Sequence, residues 1–463
     1  MTNASAPAVP ATVPPPRGLR SKISPFGGFA SAALLYLAIE NDSFQHVAWF
    51  SLVPLLYSLH LAQDSARQRF FEGLSFLGTL GIAYFRADTA PILLGIQSGI
   101  FAVAAGPILQ GQRGLVKAIR LGLLWTGLEV FRGPLCPFPE ALVPGWLTVG
   151  SAVRPGSPES QTANVVGLYG LSFAVSLSSC FFFGVLVEQR LWRQIVCFAA
   201  GLAVPLVCHG YGVSAANEAA VPARRADIVL VTAHSSDDGT LAALTRTIPA
   251  TTGGLIVWPA TSSAMTSNAT GPAQFENVAR EATSMALTIA PVAPGQEHYQ
   301  AIVADSTGRI RETFAQDGQT PVLVKTPHGL IGVGVEDDFD SPLLARAATT
   351  LGAQLLISIA LETEAWRDCA VRHRSSLDAY RSIENHRWIL RTSRRGCAVM
   401  NPLGHPTIDI RGIGWAGEAE SAWIDVTTAY TRWGWWVEPM ILAGAGWVLV
   451  GALIHWVTHR QRV

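Results

Sequence analysis

Thiols are the most reactive side chains of this 463-residue chain, and it carries six: Cys136, Cys180, Cys197, Cys208, Cys369 and Cys397. None forms a Cys-x-x-Cys pair, so neither a zinc ribbon nor a thioredoxin-type redox site is indicated. Three fall in apolar stretches, where cysteine acts as a small hydrophobe. Cys369 instead follows Glu364-Ala365-Trp366, and Cys397 opens a strand-like run. Lysine occurs only as Lys22, Lys117 and Lys325. The densest acidic run is Glu336, Asp337, Asp338 and Asp340, with His328 nearby. Such carboxylates could hold a cation, although no ligand spacing defines one. Glu129 and Arg132 stand three apart within an apolar segment, a spacing that lets them share a helix face. Carboxylates inside a membrane are functional candidates. An interfacial ion pair that ends the helix is the plainer reading.

These residues sit in a chain of unusual balance. The 33 basic and 33 acidic residues cancel, which removes the basic footprint of a nucleic-acid binder. Only 14% of residues are charged and 49% are hydrophobic, with mean hydropathy +0.30. Typical soluble proteins carry about 25% charged residues. One water-soluble globule is therefore excluded, and so is disorder for most of the chain. Residues 1–25 read as a disordered basic lead without the compact apolar core of a secretory signal.

A spanning helix needs about 20 mainly apolar residues. Candidates lie near 26–40, 46–62, 71–86, 90–110, 116–132, 164–187, 192–212 and 436–457. With the N-terminus inside, the inner connections carry Arg67, Arg69, Arg113, Lys117, Arg120, Arg190 and Arg193, and the tail adds Arg460 and Arg462. The opposite connections carry only Arg86, Arg132 and Arg154, which fits the positive-inside bias. Seven spans over 26–212 and an eighth over 436–463 would leave 213–435 outside. Trp433, Trp435 and Trp436 mark the return to the membrane, where an aromatic belt is expected. The proline-rich segment 134–158 is expected along the membrane surface.

Within 213–435, short apolar runs alternate with helix-length polar stretches. Strands are expected at Ile228–Val231, Leu255–Trp258, Met285–Ala290, Ala301–Ala304, Pro321–Val324, Ile331–Val335, Leu355–Ile359 and Cys397–Met400. Helices are expected near 272–283, 341–352 and 373–389. That alternation indicates an α/β domain with helices over both sheet faces.

At this point the residues carry a resemblance. Leu124–Gly133 contains a tryptophan followed by Glu-x-x-Arg-Gly, and Asn164–Phe173 reads Asn-Val-Val-Gly-Leu-Tyr-Gly-Leu-Ser-Phe. Ile256–Pro259 ends a strand in Trp-Pro, and Arg381–Arg391 precedes the Gly396–Gly404 strand pair. Together they resemble the bacterial apolipoprotein N-acyltransferase family. That resemblance implies a multi-span α-helical membrane protein of the bacterial inner membrane, with an inserted α/β domain, a nitrilase-like αββα sandwich, on the periplasmic side. It also implies acyl transfer from a phospholipid, through a thiol, to the amino group of a lipoprotein cysteine, with no cofactor.

Such chemistry needs a thiolate, a glutamate base and an oxyanion-stabilising lysine. The family's base follows Trp-Pro, where this chain has Ala260. Its nucleophile ends a strand like Ile331–Val335, where this chain has Val335. Its lysine is expected near Thr313–Ala315, where this chain has none. The expectation is therefore a catalytically degenerate relative that binds phospholipid or lipoprotein. Trp258, Glu336, Asp337 and Trp366 are its binding candidates. The alternative is an active acyltransferase with a rearranged nucleophile, Cys369, assisted by Lys325. Glu384 is expected to make a structural helix-to-strand contact.

Overall fold

The computed structural model describes residues 26–460 apart from 63–64, 86–89, 112–113, 134–146, 219–223, 234–237, 249–253, 262–269, 293–298, 316–319, 337, 362–366 and 413. Helices occupy every apolar run identified in the sequence. They are α1 (Phe26–Glu40), α2 (Val53–Leu61), α3 (Ala66–Tyr84), α4 (Ala90–Gly111), α5 (Gly114–Arg132), α6 (Ala163–Val187) and α7 (Leu191–Glu218). The chain returns after the α/β domain through α12 (Ala429–Trp433) and α13 (Val437–Arg460).

Among the described residues, four helical stretches are long and apolar enough to cross a bilayer: Pro91–Gln110, Glu159–Val187, Leu191–Asn217 and Ala429–Ile454. The others are short or charged. The run at 46–62 is not one helix. Asn41 caps a 3₁₀ segment, Asp42–Phe50, by accepting from the Ser43 amide, and α2 starts afresh with proline in its first turn. At about 1.5 Å per residue, the nine residues of α2 reach less than half of a bilayer core. Close approach by small residues holds the bundle together. Ser98 Oγ donates to the Gly73 carbonyl at 2.5 Å between α3 and α4. In α6 the backbone of Gly167 takes φ 67 and ψ 176, which kinks the helix against Tyr430.

The α/β domain contains two six-stranded sheets. The first has the order β12-β1-β2-β3-β4-β5, from β1 (Arg224–Thr232), β2 (Leu255–Val257), β3 (Met285–Pro291), β4 (Tyr299–Ala304), β5 (Ile310–Ala315) and β12 (Trp415–Trp423). The second has the order β11-β10-β9-β8-β7-β6, from β6 (Val322–Lys325), β7 (Leu330–Val335), β8 (Leu355–Ile359), β9 (Ile389–Ser393), β10 (Gly396–Met400) and β11 (Pro406–Arg411). The sheets face each other across one apolar cluster that includes Val257, Leu287, Val333, Ile357 and Val399. Helices α8 (Asp238–Thr245) and α9 (Thr270–Ala282) cover the first sheet. Helices α10 (Pro342–Thr350) and α11 (Asp368–Asn385) cover the second. The molecule is thus a multi-span helical membrane protein with an inserted αββα sandwich.

Three of the strands absent from the sequence reading, β5, β11 and β12, lie at sheet edges and mix charged and polar residues with apolar ones. That composition protects an exposed edge but resembles a loop in sequence. The fourth, β9, begins where the sequence predicts the end of a helix. The helix stops at Asn385 because His386 turns left-handed at φ 50.

Helix α11 belongs to both halves. Its outer face contributes Cys369, Ala370, Leu377, Tyr380 and Ile383 to the same apolar cluster as the membrane helices. Residues 147–153 fill the gap beneath it. They are buried, with Leu147, Val149, Ala152 and Val153 at most 2% exposed, while residues 134–146 of the same segment lie outside the described residues. Glu129 Oε1 accepts from Trp125 Nε1 at 2.8 Å and from the Val149 amide at 2.9 Å. Arg132 donates to Gln97 Oε1 at 3.0 Å and to the Leu147 carbonyl. Both residues therefore fasten this segment to the bundle.

Candidate functional site

Strand β2 and strand β7 deliver their C-terminal ends to one edge of the sandwich. Ala260 lies three residues beyond β2 and is 1% exposed, while Val335 ends β7 at 0%. Both belong to the inter-sheet cluster, which also contains Cys397. The two positions thus belong to one apolar cluster, and both are filled with aliphatic carbon.

Polar groups around the end of β7 are committed to the fold. Glu336 stands at the strand tip with φ 59, a left-handed conformation that costs a non-glycine residue energy. Its amide donates to the Ile359 carbonyl and extends the parallel ladder. Asp338 Oδ2 accepts the Val335 amide at 3.0 Å and closes the turn. Buried Arg374 donates through Nε to Asp340 Oδ2 at 2.5 Å, through Nη1 to the Leu361 carbonyl at 2.7 Å, and through Nη2 to the Glu336 carbonyl at 3.1 Å. Next to it, Arg391 Nη1 meets Asp378 Oδ2 at 2.8 Å. Burial raises the Asp378 carboxyl even against the pull of Arg391. Among the described residues, no group of three or more His, Cys, Asp or Glu side chains is arranged to hold a metal ion. Asp337 lies outside the described residues.

The remaining candidates are scattered. Trp258 is fully buried beneath α8 and α9, where its Nε1 donates to Thr245 Oγ1 at 3.0 Å and its ring meets Phe275 at 5.5 Å. It faces away from the inter-sheet cluster that holds Ala260. Lys325 is exposed and pairs with Leu330 at the opposite end of β7 from Val335. Five residues of strand separate the two ends, roughly 17 Å. Cys369 Sγ lies 3.5 Å from the Ala83 carbonyl of the membrane half. Burial, reinforced by the Glu40 carboxylate, pushes its thiol up. Lys325 and Cys369 therefore do not meet. Trp366 lies outside the described residues. Glu384 joins helix to helix where the sequence predicts a helix-to-strand contact: its Oε1 accepts the Leu168 amide at 2.8 Å and ties α11 to α6.

An open cavity of about 350 Å³ occurs elsewhere, between α11, the β10–β11 hairpin and the ends of the membrane helices. Three ion pairs line it. Arg372 Nη2 meets Glu40 Oε2 at 2.6 Å, Arg154 Nη1 meets Asp42 Oδ2 at 2.9 Å, and Arg411 Nη2 meets Asp409 Oδ2 at 2.7 Å. Burial works against the Arg372 charge, but Glu40 outweighs it and holds Arg372 above its ordinary value. His373 closes one wall, with Nε2 3.1 Å from Ser151 Oγ and its ring 5.7 Å from Tyr84. This chamber can present paired cations and anions to a polar ligand at the level where the two halves join. No motif announces it, because its walls come from residues 38–42, 151–155, 372–379 and 400–411.

Residues 31–181 match the family model described as the apolipoprotein N-acyltransferase N-terminal domain. Over this stretch the chain is similar to the apolipoprotein N-acyltransferases. An apolipoprotein N-acyltransferase of Gloeobacter violaceus is 33% identical over 143 residues, covering 29% of this chain and 25% of the relative. One from Geobacter metallireducens is 26% identical over 175 residues, covering 34% and 32% respectively. The chain thus spans between a quarter and a third of the length of these curated relatives. Among solved structures, a mutant amidase of the nitrilase superfamily from Nesterenkonia is 17% identical with a TM-score of 0.34 and covers 45% of this chain and 94% of its own. Nit3 of Saccharomyces cerevisiae, also of the nitrilase superfamily, is 16% identical with a TM-score of 0.37, covering 43% and 90%.

Proposed function

We propose that this chain is a non-catalytic relative of the N-acyltransferases that binds phospholipid or lipoprotein at the junction of its two halves. One observation carries the reading: Ala260 and Val335 are both buried in the same apolar cluster. A general base must exchange a proton and a nucleophile must offer a lone pair. Alanine and valine do neither. The distance of Lys325 from this edge and the raised thiol of Cys369 support the same conclusion. Neither residue supports a rearranged nucleophile.

In this reading the chain crosses the bacterial inner membrane several times over 26–212 and once over 436–457. Both termini are cytoplasmic, and the domain at 213–435 faces the periplasm. The basic residues gathered at one set of helix ends support that arrangement. The junction cavity then lies at headgroup level, and its paired charges suit a polar headgroup or the modified end of a lipoprotein.

The test is acyl transfer by the purified chain, using labelled phospholipid and a diacylated lipopeptide, with an active relative as control. No transfer above background is expected while the control turns over. Transfer comparable to the control would overturn the non-catalytic reading.

A further inference from the structure

The end of the helical bundle remote from the α/β domain holds a second cavity, of about 270 Å³. It forms where the ends of α2, α4 and α6 meet the starts of α5 and α7, and His60, Lys117, Glu188, Arg190 and Arg193 line it. Helix α7 is 28 residues long, which puts its start about 42 Å from its domain end. This site is therefore unrelated to the sheet edge and to the junction cavity.

Three permanent cations share this space with one carboxylate. Arg193 Nη1 reaches Glu188 Oε2 at 3.5 Å and lies over the Trp192 ring at 5.3 Å. Lys117 folds inward, and its Nζ donates to the Leu109 carbonyl at 3.2 Å. A positive-inside bias alone asks only that basic residues be present near helix ends. It does not ask that they converge on one concave space. The flank of the cavity is apolar and uncovered: Leu191, Trp192, Ile195 and Val196 on α7 are each more than half exposed. A cationic cavity beside an exposed apolar strip matches a molecule with an anionic head and hydrocarbon tails. Basic pockets between membrane helices take such headgroups.

We propose that this cavity binds the phosphate diester of an anionic phospholipid, with Lys117, Arg190 and Arg193 around the phosphate and the acyl chains along α7. A soluble phosphate ester offers the same charge, so the test separates the two sources. Native mass spectrometry of the detergent-purified full chain would be titrated with phosphatidylglycerol, with phosphatidylcholine of the same chains, and with glycerol 3-phosphate. Phosphatidylglycerol is expected to bind at least about tenfold more tightly than phosphatidylcholine, since each basic residue contributes about fivefold near an anionic surface.

The double substitution Lys117→Gln with Arg190→Gln should weaken that binding by about fivefold per charge removed. Lys117→Arg should preserve it. Arg67→Gln removes a charge at the same end of the bundle but outside the cavity, and it should leave binding unchanged. Equal binding of the two lipids by the unmodified chain would overturn the site without reliance on any variant. So would equal weakening by Arg67→Gln, which would mean diffuse attraction. Displacement of phosphatidylglycerol by equimolar glycerol 3-phosphate would overturn the lipid assignment, and failure to displace it would support it.

Discussion

A thiol introduced by Val335→Cys would enter the cluster that already holds Cys397. Burial, with Asp409 adding to it, pushes the Cys397 thiol from 9.0 up to about 12. Only the thiolate is a nucleophile, so that rise leaves about a thousandth of the usual reactive fraction at neutral pH. The substituted chain is therefore expected to resist iodoacetamide at positions 335 and 397 at about pH 7.5, and to label fully once denatured. Fast labelling of position 335 in the folded chain would show that the strand end is open and polar. At this scale the sequence was informative where a motif frames a position, as Trp-Pro frames Ala260. It was uninformative about Lys325, because the direction in which β6 pairs with β7 places that residue and composition does not encode it. Arg374 and Arg372 carry no signal in the sequence, and Asp340 and Arg154 stand out there only as part of an acidic run and as a loop charge. Each acquires its role from a partner at least 34 residues away.

Among the elements, α6 shows how a local irregularity serves the whole. Gly167 adopts φ 67 and ψ 176, a combination nearly confined to glycine. A Cβ there would stand 2.5 Å from the Tyr430 ring. Gly167→Ala is expected to cost about 1–3 kcal/mol of stability through backbone strain, read as a lower thermal midpoint in detergent. An unchanged midpoint would mean that the kink relaxes freely. Hydrophobic runs revealed the helices themselves, since burial in lipid and in the bundle both demand apolar residues. They did not reveal the kink, because a glycine in Gly-Leu-Tyr-Gly leaves the apolar pattern unbroken. Nor did they reveal the edge strands, whose charged faces obscure the two-residue alternation.

On the scale of the whole molecule, two halves with different solvents share one helix. Composition separated them, but their interlock through α11 and residues 147–153 depends on contacts between distant segments. The joint leaves a chamber lined by charged groups in ion pairs, while the two positions at the ends of β2 and β7 carry only aliphatic carbon. The most direct measurement is the intact mass of the purified chain after incubation with phospholipid, followed by hydroxylamine treatment. An unmodified mass is expected throughout. A hydroxylamine-labile acyl adduct on any residue, Cys369 above all, would contradict the account.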